Sequence, residues 1–220
     1  MYELDHLFVF ADVGGPEATR LIEAGLSEGE ANVHIGQGTA CRRFFFHNAF
    51  LELLWVRDQE EAQHEPACDT RLWSRWTERR SGTSPFGLCL RPGKSGVGPP
   101  FPAWEYRPPY LPAPLVIHVG QGVPTAEPWW FYIEFGRRPD DQRWPRPQPL
   151  EHANGYREIT GVRFAGPSLN DPSTTGQAVV QSGVAAFTDA PEHCVEVTFD
   201  GGHHSEFEDL RPLLPLIFRR

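Results

Sequence analysis

Hydrophobic and polar positions in the first quarter of the chain follow a strand period, then a helix period, then a strand period again. Glu3–Phe10 is rich in β-formers, with Leu4, His6, Phe8 and Phe10 on one expected face and Leu7 and Val9 on the other. Ala18, Leu21 and Ile22 make a helical stripe, opened by Gly14-Gly15-Pro16 and closed at Gly25. Cys41–Phe46 and Phe50–Val56 read as strands joined by the turn His47-Asn48-Ala49. Glu52 is the one charge in the apolar last strand. Burying a carboxylate there is costly without a cation or hydrogen-bond donors, so Glu52 either points to an open face or belongs to a site.

The pattern loosens after residue 57. Asp58–Asp69 is acidic and reads as a solvated loop. Thr70–Arg80 has helical periodicity through Leu72, Trp73 and Trp76, with Asp69 as its N-cap. Strands are expected at Phe86–Leu90, Trp104–Tyr106, Leu115–Val119 and Trp129–Phe135. The Gly/Pro-rich stretch Pro92–Pro102 reads as loop, and four prolines exclude helix over Pro108–Pro114. In the aromatic strand Trp129, Phe131, Ile133 and Phe135 share one face, and Trp130, Tyr132 and Glu134 the other. One face either packs in a core or lines an apolar pocket. Beyond Arg157, strands are expected at Glu158–Phe164, Gln177–Gln181, Gly183–Thr188 and His193–Phe199, with Pro167–Gly176 as loop in place of a crossover helix. His203-His204, beside Gly201-Gly202, reads as turn. Leu210–Arg220 is too apolar to stay solvated, and packs back on the fold or on a second copy.

Composition narrows the function. Net charge is -9, from 29 Asp+Glu against 20 Lys+Arg, which disfavours nucleic acid and anionic membrane as partners. No apolar run approaches the length of a membrane span, and no secretory signal is visible, so the expected compartment is the cytoplasm. Cys41, Cys68, Cys89 and Cys194 form no C-x-x-C pair, which disfavours a zinc ribbon or a thioredoxin-type site.

Leu4-Asp5-His6, His34-x-Gly36-x-Gly38-Thr39 and Leu51-Glu52-Leu53, in the order β-α-β-β-β, resemble one module of the vicinal oxygen chelate superfamily. The likeness is to its glyoxalase-like branch (glyoxalase, bleomycin resistance protein and dioxygenase relatives), and it covers residues 2–56 best. Pro128–Phe135 resembles a strand of the same branch that precedes a His-containing turn, here Glu151-His152-Ala153-Asn154-Gly155. The resemblance implies an α+β fold in which paired βαβββ modules form a curved mixed sheet around a cleft. Residues 1–57 would be the first module, 58–157 an inserted Pro-rich and aromatic region, and 158–220 a reduced second module with the tail, all in one compact domain. Laid over the first module, Gly161 falls where a second His would stand, and Glu196 falls on Glu52.

The resemblance further implies a divalent metal (Mn, Fe, Mg, Ni or Zn) held by His6, Glu52, Glu196 and, from the insert, His152 or His118. It makes Glu52 and Glu196 candidate catalytic bases, with His34, Thr39, Arg43, Trp130 and Tyr132 toward the substrate. The implied activity is a metal-dependent lyase, isomerase or dioxygenase on a small oxygenated substrate. The alternative is a metal-free protein that sequesters a small molecule in the same cleft. The partner is a small molecule in either case, with a homodimer left open.

Overall fold

In the computed structural model, residues 95–97, 142, 144–145 and 203–205 are not described, so the expected His203-His204 turn lies outside the described residues. The fold is α+β: a curled eight-stranded mixed sheet and a second, five-stranded sheet.

The first unit follows the sequence pattern closely. It runs β1 (Tyr2–Phe10), α1 (Ala18–Glu23), β2 (Asn32–His34), β3 (Thr39–Phe45) and β4 (Phe50–Val56). β4 returns parallel to β1, with His6 opposite Phe50 and Phe8 opposite Glu52. β3 pairs antiparallel with β4, and β2 with β3. Ile22, expected in the buried stripe of α1, is 44% exposed, while Ala18 and Leu21 are buried.

The other half of the large sheet comes from residues expected to be an insert. β5 (Phe86–Pro92), β6 (Ala103–Tyr106), β7 (Ile117–Gly120) and β8 (Trp129–Tyr132) follow in chain order. β5 lies antiparallel to β1, and β8 returns parallel to β5. The sheet order β2-β3-β4-β1-β5-β8-β7-β6 therefore repeats one arrangement twice, without a helix between β5 and β6 among the described residues. Pro and Gly between β5 and β6 preclude a helical crossover there.

The expected second module at 158–199 has a different topology. β9 (Ile159–Gly166), α4 (Thr174–Gln181), β10 (Ala186–Asp189), β11 (Cys194–Phe199), β12 (Phe207–Asp209) and β13 (Leu216–Arg219) build the second sheet, in the order β10-β9-β11-β13-β12. β9 and β11 are antiparallel, whereas β1 and β4 are parallel, so the overlay of Gly161 on His6 and Glu196 on Glu52 does not hold. Residues 177–181 are also helix rather than strand. The helix begins at Thr174, inside the expected loop Pro167–Gly176, because Ser173 caps it by accepting a hydrogen bond from the Gly176 N–H. The apolar tail forms β13 beside β11 and buries Leu216 and Phe218.

Residues 58–69 are more ordered than the expected solvated loop, and the helix expected over 70–80 forms within that range. Asp58 caps α2 (Gln59–Gln63), a 3-10 turn spans Ala67–Thr70, and α3 is Leu72–Thr77. Asp69 lies inside that turn instead of capping α3, because Arg71 takes a left-handed φ of 60° between the two elements.

Two apolar layers result from the alternation of each strand. Leu7 and Val9 of β1, Leu51 and Leu53 of β4, Leu88 and Leu90 of β5, and Trp130 and Tyr132 of β8 pack toward the second sheet. Phe8, Phe10, Cys41, Leu54, Cys89, Trp129 and Phe131 pack on the concave side beneath Leu72 of α3. Each large side chain so buried contributes about 1.5–3 kcal/mol, which holds the register of both faces.

His152 joins the segment after β8 to the first unit. Its Nδ1 accepts from the Ser27 N–H at 2.9 Å and its Nε2–H donates to the Phe45 carbonyl at 2.9 Å. Burial holds its pKa below the ordinary value of 6.5, which favours the neutral ring. In acid the unfolded chain takes up a proton that the folded chain refuses, so stability falls as pH drops below that ordinary value. His152→Ala is expected to cost about 1–3 kcal/mol through the stranded partners and to flatten part of this acid dependence. Urea unfolding of both proteins at about pH 8 and about pH 5.5 measures it.

Candidate functional site

The concave face of the large sheet gathers four of the expected site residues, His6, His34, Arg43 and Glu52. A bulge between Leu4 and His6 in the β1–β5 pairing shifts β1 by one position. Leu4 therefore joins Leu7 and Val9 in the inter-sheet core, not the His6 face that strict alternation predicts. The bulge also sets the Asp5 carboxylate beside its own neighbour, with Oδ1 at 2.7 Å from His6 Nδ1. Asp5 is 2% exposed, and its other oxygen lies 3.7 Å from Arg91 Nη1.

With Nδ1–H donated to Asp5, His6 keeps its Nε2 lone pair for the hollow. The ring is held from two sides, stacked on Phe50 at 4.5 Å and edge-on to Phe131 at 5.1 Å. Nε2 stands 4.0 Å from Glu52 Oε2. That is too long for a hydrogen bond and leaves room for a shared third atom.

Glu52 is 6% exposed, so it does not face open solvent. Among the described residues its one hydrogen-bond donor is the Cys41 thiol, at 3.4 Å from Oε1. The thiol pKa is pushed well up by burial and then by the Glu52 charge. Arg43 is opposite Glu52 in the β3–β4 register. Its guanidinium turns aside, donating to the Glu30 carbonyl at 2.7 Å and resting over the Phe45 ring.

The His34–Thr39 turn forms the upper wall. Glu61 Oε2 accepts from the N–H groups of Gly36 and Gly38 at 2.8 and 3.1 Å, pinning the turn. Both glycines have positive φ, at 79° and 75°, where a side chain would be strained. His34 Nδ1 lies 2.9 Å from Thr39 Oγ1, which also accepts from Gln37 Nε2. Tyr110 OH donates to Gln37 Oε1 at 3.3 Å and brings the Pro-rich loop over the hollow. Burial lowers the His34 pKa and raises the Tyr110 pKa. Both groups are thus neutral near pH 7.

The hollow is partly open to solvent and has a volume of about 170 Å³. Its polar end is His6, His34, Gln37, Arg43 and Glu52, and its body is Phe8, Leu54, Ile117, Trp129, Phe131 and Ile133.

The expected site residues divide between this hollow and other parts of the fold. His6, Glu52, His34 and Arg43 line it, with Thr39 bonded to His34 just behind. Glu196 is on the second sheet, ion-paired with Arg219. Both ring nitrogens of His152 are engaged by backbone, so it has no lone pair to offer a metal. His118 sits on β7 beside Tyr132, away from the hollow. Trp130 and Tyr132 face the inter-sheet core, with Trp130 stacked on Phe187. The opposite face of that strand, Trp129 and Phe131, lines the hollow.

Cys41, Gln37 and Tyr110 were missed by the sequence reading. A signal existed for Cys41: the 47–49 turn fixes Arg43 opposite Glu52, and Cys41 is two residues from Arg43 on the same face. Tyr110, brought in by a long loop, had none.

No protein-family model matches the chain, and no curated protein matches it. Among solved structures it is similar to the crystal structure of a hypothetical protein from Staphylococcus aureus, at 12% identity and a TM-score of 0.52. That likeness covers 100% of this chain and 99% of the other, and concerns the fold alone.

The Asp5–His6 contact fixes a tautomer that can be read directly. Long-range ¹⁵N–¹H spectra are expected to show His6 protonated at Nδ1 near neutral pH, and Asp5→Asn to weaken that preference. A dominant Nε2–H form in the native protein would contradict the geometry.

Proposed function

We propose that this chain is a small-molecule-binding protein of the glyoxalase-like, vicinal oxygen chelate type, with the concave hollow as its ligand site. The observation that carries the reading is His6 and Glu52, 4.0 Å apart at the polar end of a space otherwise lined by aromatic and aliphatic groups. A volume of about 170 Å³ is close to that of an engineered cavity of about 150 Å³ that holds benzene. The ligand class is a one-ring compound, with an oxygen-bearing end toward His6, Glu52 and Arg43. Four free cysteines fit a reducing compartment such as the cytoplasm.

The metal chelate implied by the resemblance needs donors from both halves of the sheet, and among the described residues the second half brings only the Cys89 thiol of β5 to the concave side, where burial pushes its pKa well up and disfavours the ligating thiolate. On β8, which holds the place of β4 in the repeated strand order, the hollow side offers Trp129 and Phe131. Neither is a ligand for a divalent ion. This supports the sequestering reading over a two-sided chelate enzyme.

A catalytic reading has one specific support. The buried Asp5 carboxylate orients His6 with its basic nitrogen toward the hollow. That arrangement suits proton abstraction from a bound ligand. Glu52 lies on the same side and would orient the polar end of the ligand.

The test uses metal-stripped protein and 4-nitrocatechol, a coloured ring with adjacent oxygens. Saturable binding that quenches tryptophan fluorescence is expected. Ile117→Trp, which fills the hollow, and Phe131→Ala, which removes its aromatic wall, are each expected to weaken binding at least about tenfold, equal to about 1.4 kcal/mol. Thermal melts confirm that both variants fold. No saturable binding, or binding indifferent to both substitutions, overturns the reading.

A further inference from the structure

We propose that His34, Cys41 and Glu52 form a three-ligand site for a zinc-type divalent ion, built wholly from the first unit and open on its fourth side to the hollow. One donor atom from each of these buried residues lies within 4.8 Å of the others. They come from three adjacent strands: His34 from β2, Cys41 from β3 and Glu52 from β4. The register fixes them there, with Thr39 pairing across from His34, and Leu54, two residues from Glu52, pairing across from Cys41.

The donor set is nitrogen, sulfur and oxygen, which matches zinc and its spectroscopic substitute cobalt. The Cys41 Sγ to Glu52 Oε1 distance of 3.4 Å is near the edge of a tetrahedron with bonds of about 2.3 and 2.0 Å. Thr39 engages His34 Nδ1 and leaves Nε2 as the ring nitrogen for an ion. A ligating histidine is commonly fixed through its other nitrogen in this way.

The buried carboxylate gives independent support. Among the described residues Glu52 receives only a weak thiol donor, with no arginine or lysine within ion-pairing distance. A cation between it and its two neighbours would satisfy it, with the thiol proton released to solvent as the ion binds. The second cluster, Asp5, His6 and Cys89, is a weaker candidate. Asp5 Oδ1 is engaged by His6 Nδ1, its Oδ2 has the Arg91 guanidinium at 3.7 Å to meet its charge, and Cys89 Sγ lies 3.5 Å from the Leu90 carbonyl.

This site differs from a chelate centred on His6, and it deepens the ligand reading because its open position faces the same space. Its test is independent of that reading, since it uses ligand-free protein. Tag-free, metal-stripped protein is titrated with Co²⁺ and followed by absorbance. One equivalent is expected to bind, with a thiolate-to-cobalt charge-transfer band in the near ultraviolet. Zn²⁺ is expected to displace it.

Cys41→Ser should abolish that band, and Glu52→Gln and His34→Ala should each weaken binding at least tenfold. Cys89→Ser and His6→Ala should leave the band and its stoichiometry in place. Absence of cobalt binding by the wild-type chain overturns the proposal. So does a band that survives Cys41→Ser, or one lost with His6→Ala or Cys89→Ser. Absence of the wild-type band overturns the proposal whether or not a variant folds, and the Cys41→Ser and Cys89→Ser spectra assign the band where it is present.

Discussion

The bulge at Asp5 sets the geometry of the whole concave face. β1 sits at the centre of the large sheet, parallel to β4 on one side and antiparallel to β5 on the other. A strand bonded on both sides cannot slip, because a one-residue shift would exchange its two faces. The extra residue is therefore absorbed locally. Leu4 stays with the inter-sheet core, His6 stays with the hollow, and Asp5 is left between them as a buried carboxylate against the imidazole. A site residue and the group that orients it thus come from consecutive positions, which regular alternation forbids.

The same alternation explains why a hollow exists. Both faces of the large sheet are apolar, so both must be covered. The second sheet packs on one face, through Phe164, Val195, Val197 and Phe218. The other face is covered only in part, by α3 and by the loop carrying Tyr110 and Leu111. The sheet curls around the remaining space. The wall residues Phe8, Trp129 and Phe131 are then packed on one side and open on the other. Glycine makes part of that wall possible: a Cβ on Gly87 of β5 would lie 2.1 Å from the Phe8 ring.

The sequence disclosed the first unit because its signals are local. The period change, the glycines flanking α1 and the 47–49 turn each act over a few residues, and together they place His6, Arg43 and Glu52 on one surface. The strands of the second half were legible too, but their pairing into one sheet with the first unit was hidden for a physical reason. Three of those four strands are short, no helix marks the crossover among the described residues, and β5 finds its partner in β1, from 77 residues upstream at Val9–Phe86 to 90 at Tyr2–Pro92. Residues 159–199 misled for the opposite reason, having strands of the right length and spacing but the wrong relative direction. Parity misled at β8. The aromatic strand was legible, but which face it turned to the hollow depended on its pairing with β5, so Trp130 and Tyr132 stood in for Trp129 and Phe131.

The burial of Glu52 links fold to function. A carboxylate in a central strand, between Leu51 and Leu53 and facing aromatic rings, destabilises the fold unless something meets its charge. Leucine or phenylalanine at that position would pack better. The neighbours that sequence and register place around it, His6, Cys41, Arg43 and His34, are all polar groups held by second partners: Asp5, the β3–β4 pairing, the Glu30 carbonyl and Thr39. Each is fixed in place but none closes directly on the carboxylate with a strong bond. A charge surrounded by oriented yet incompletely engaged groups is preorganised for a visitor. The arrangement supports reading this end of the hollow as the place where a bound species, ion or oxygenated ring, completes what the chain leaves open.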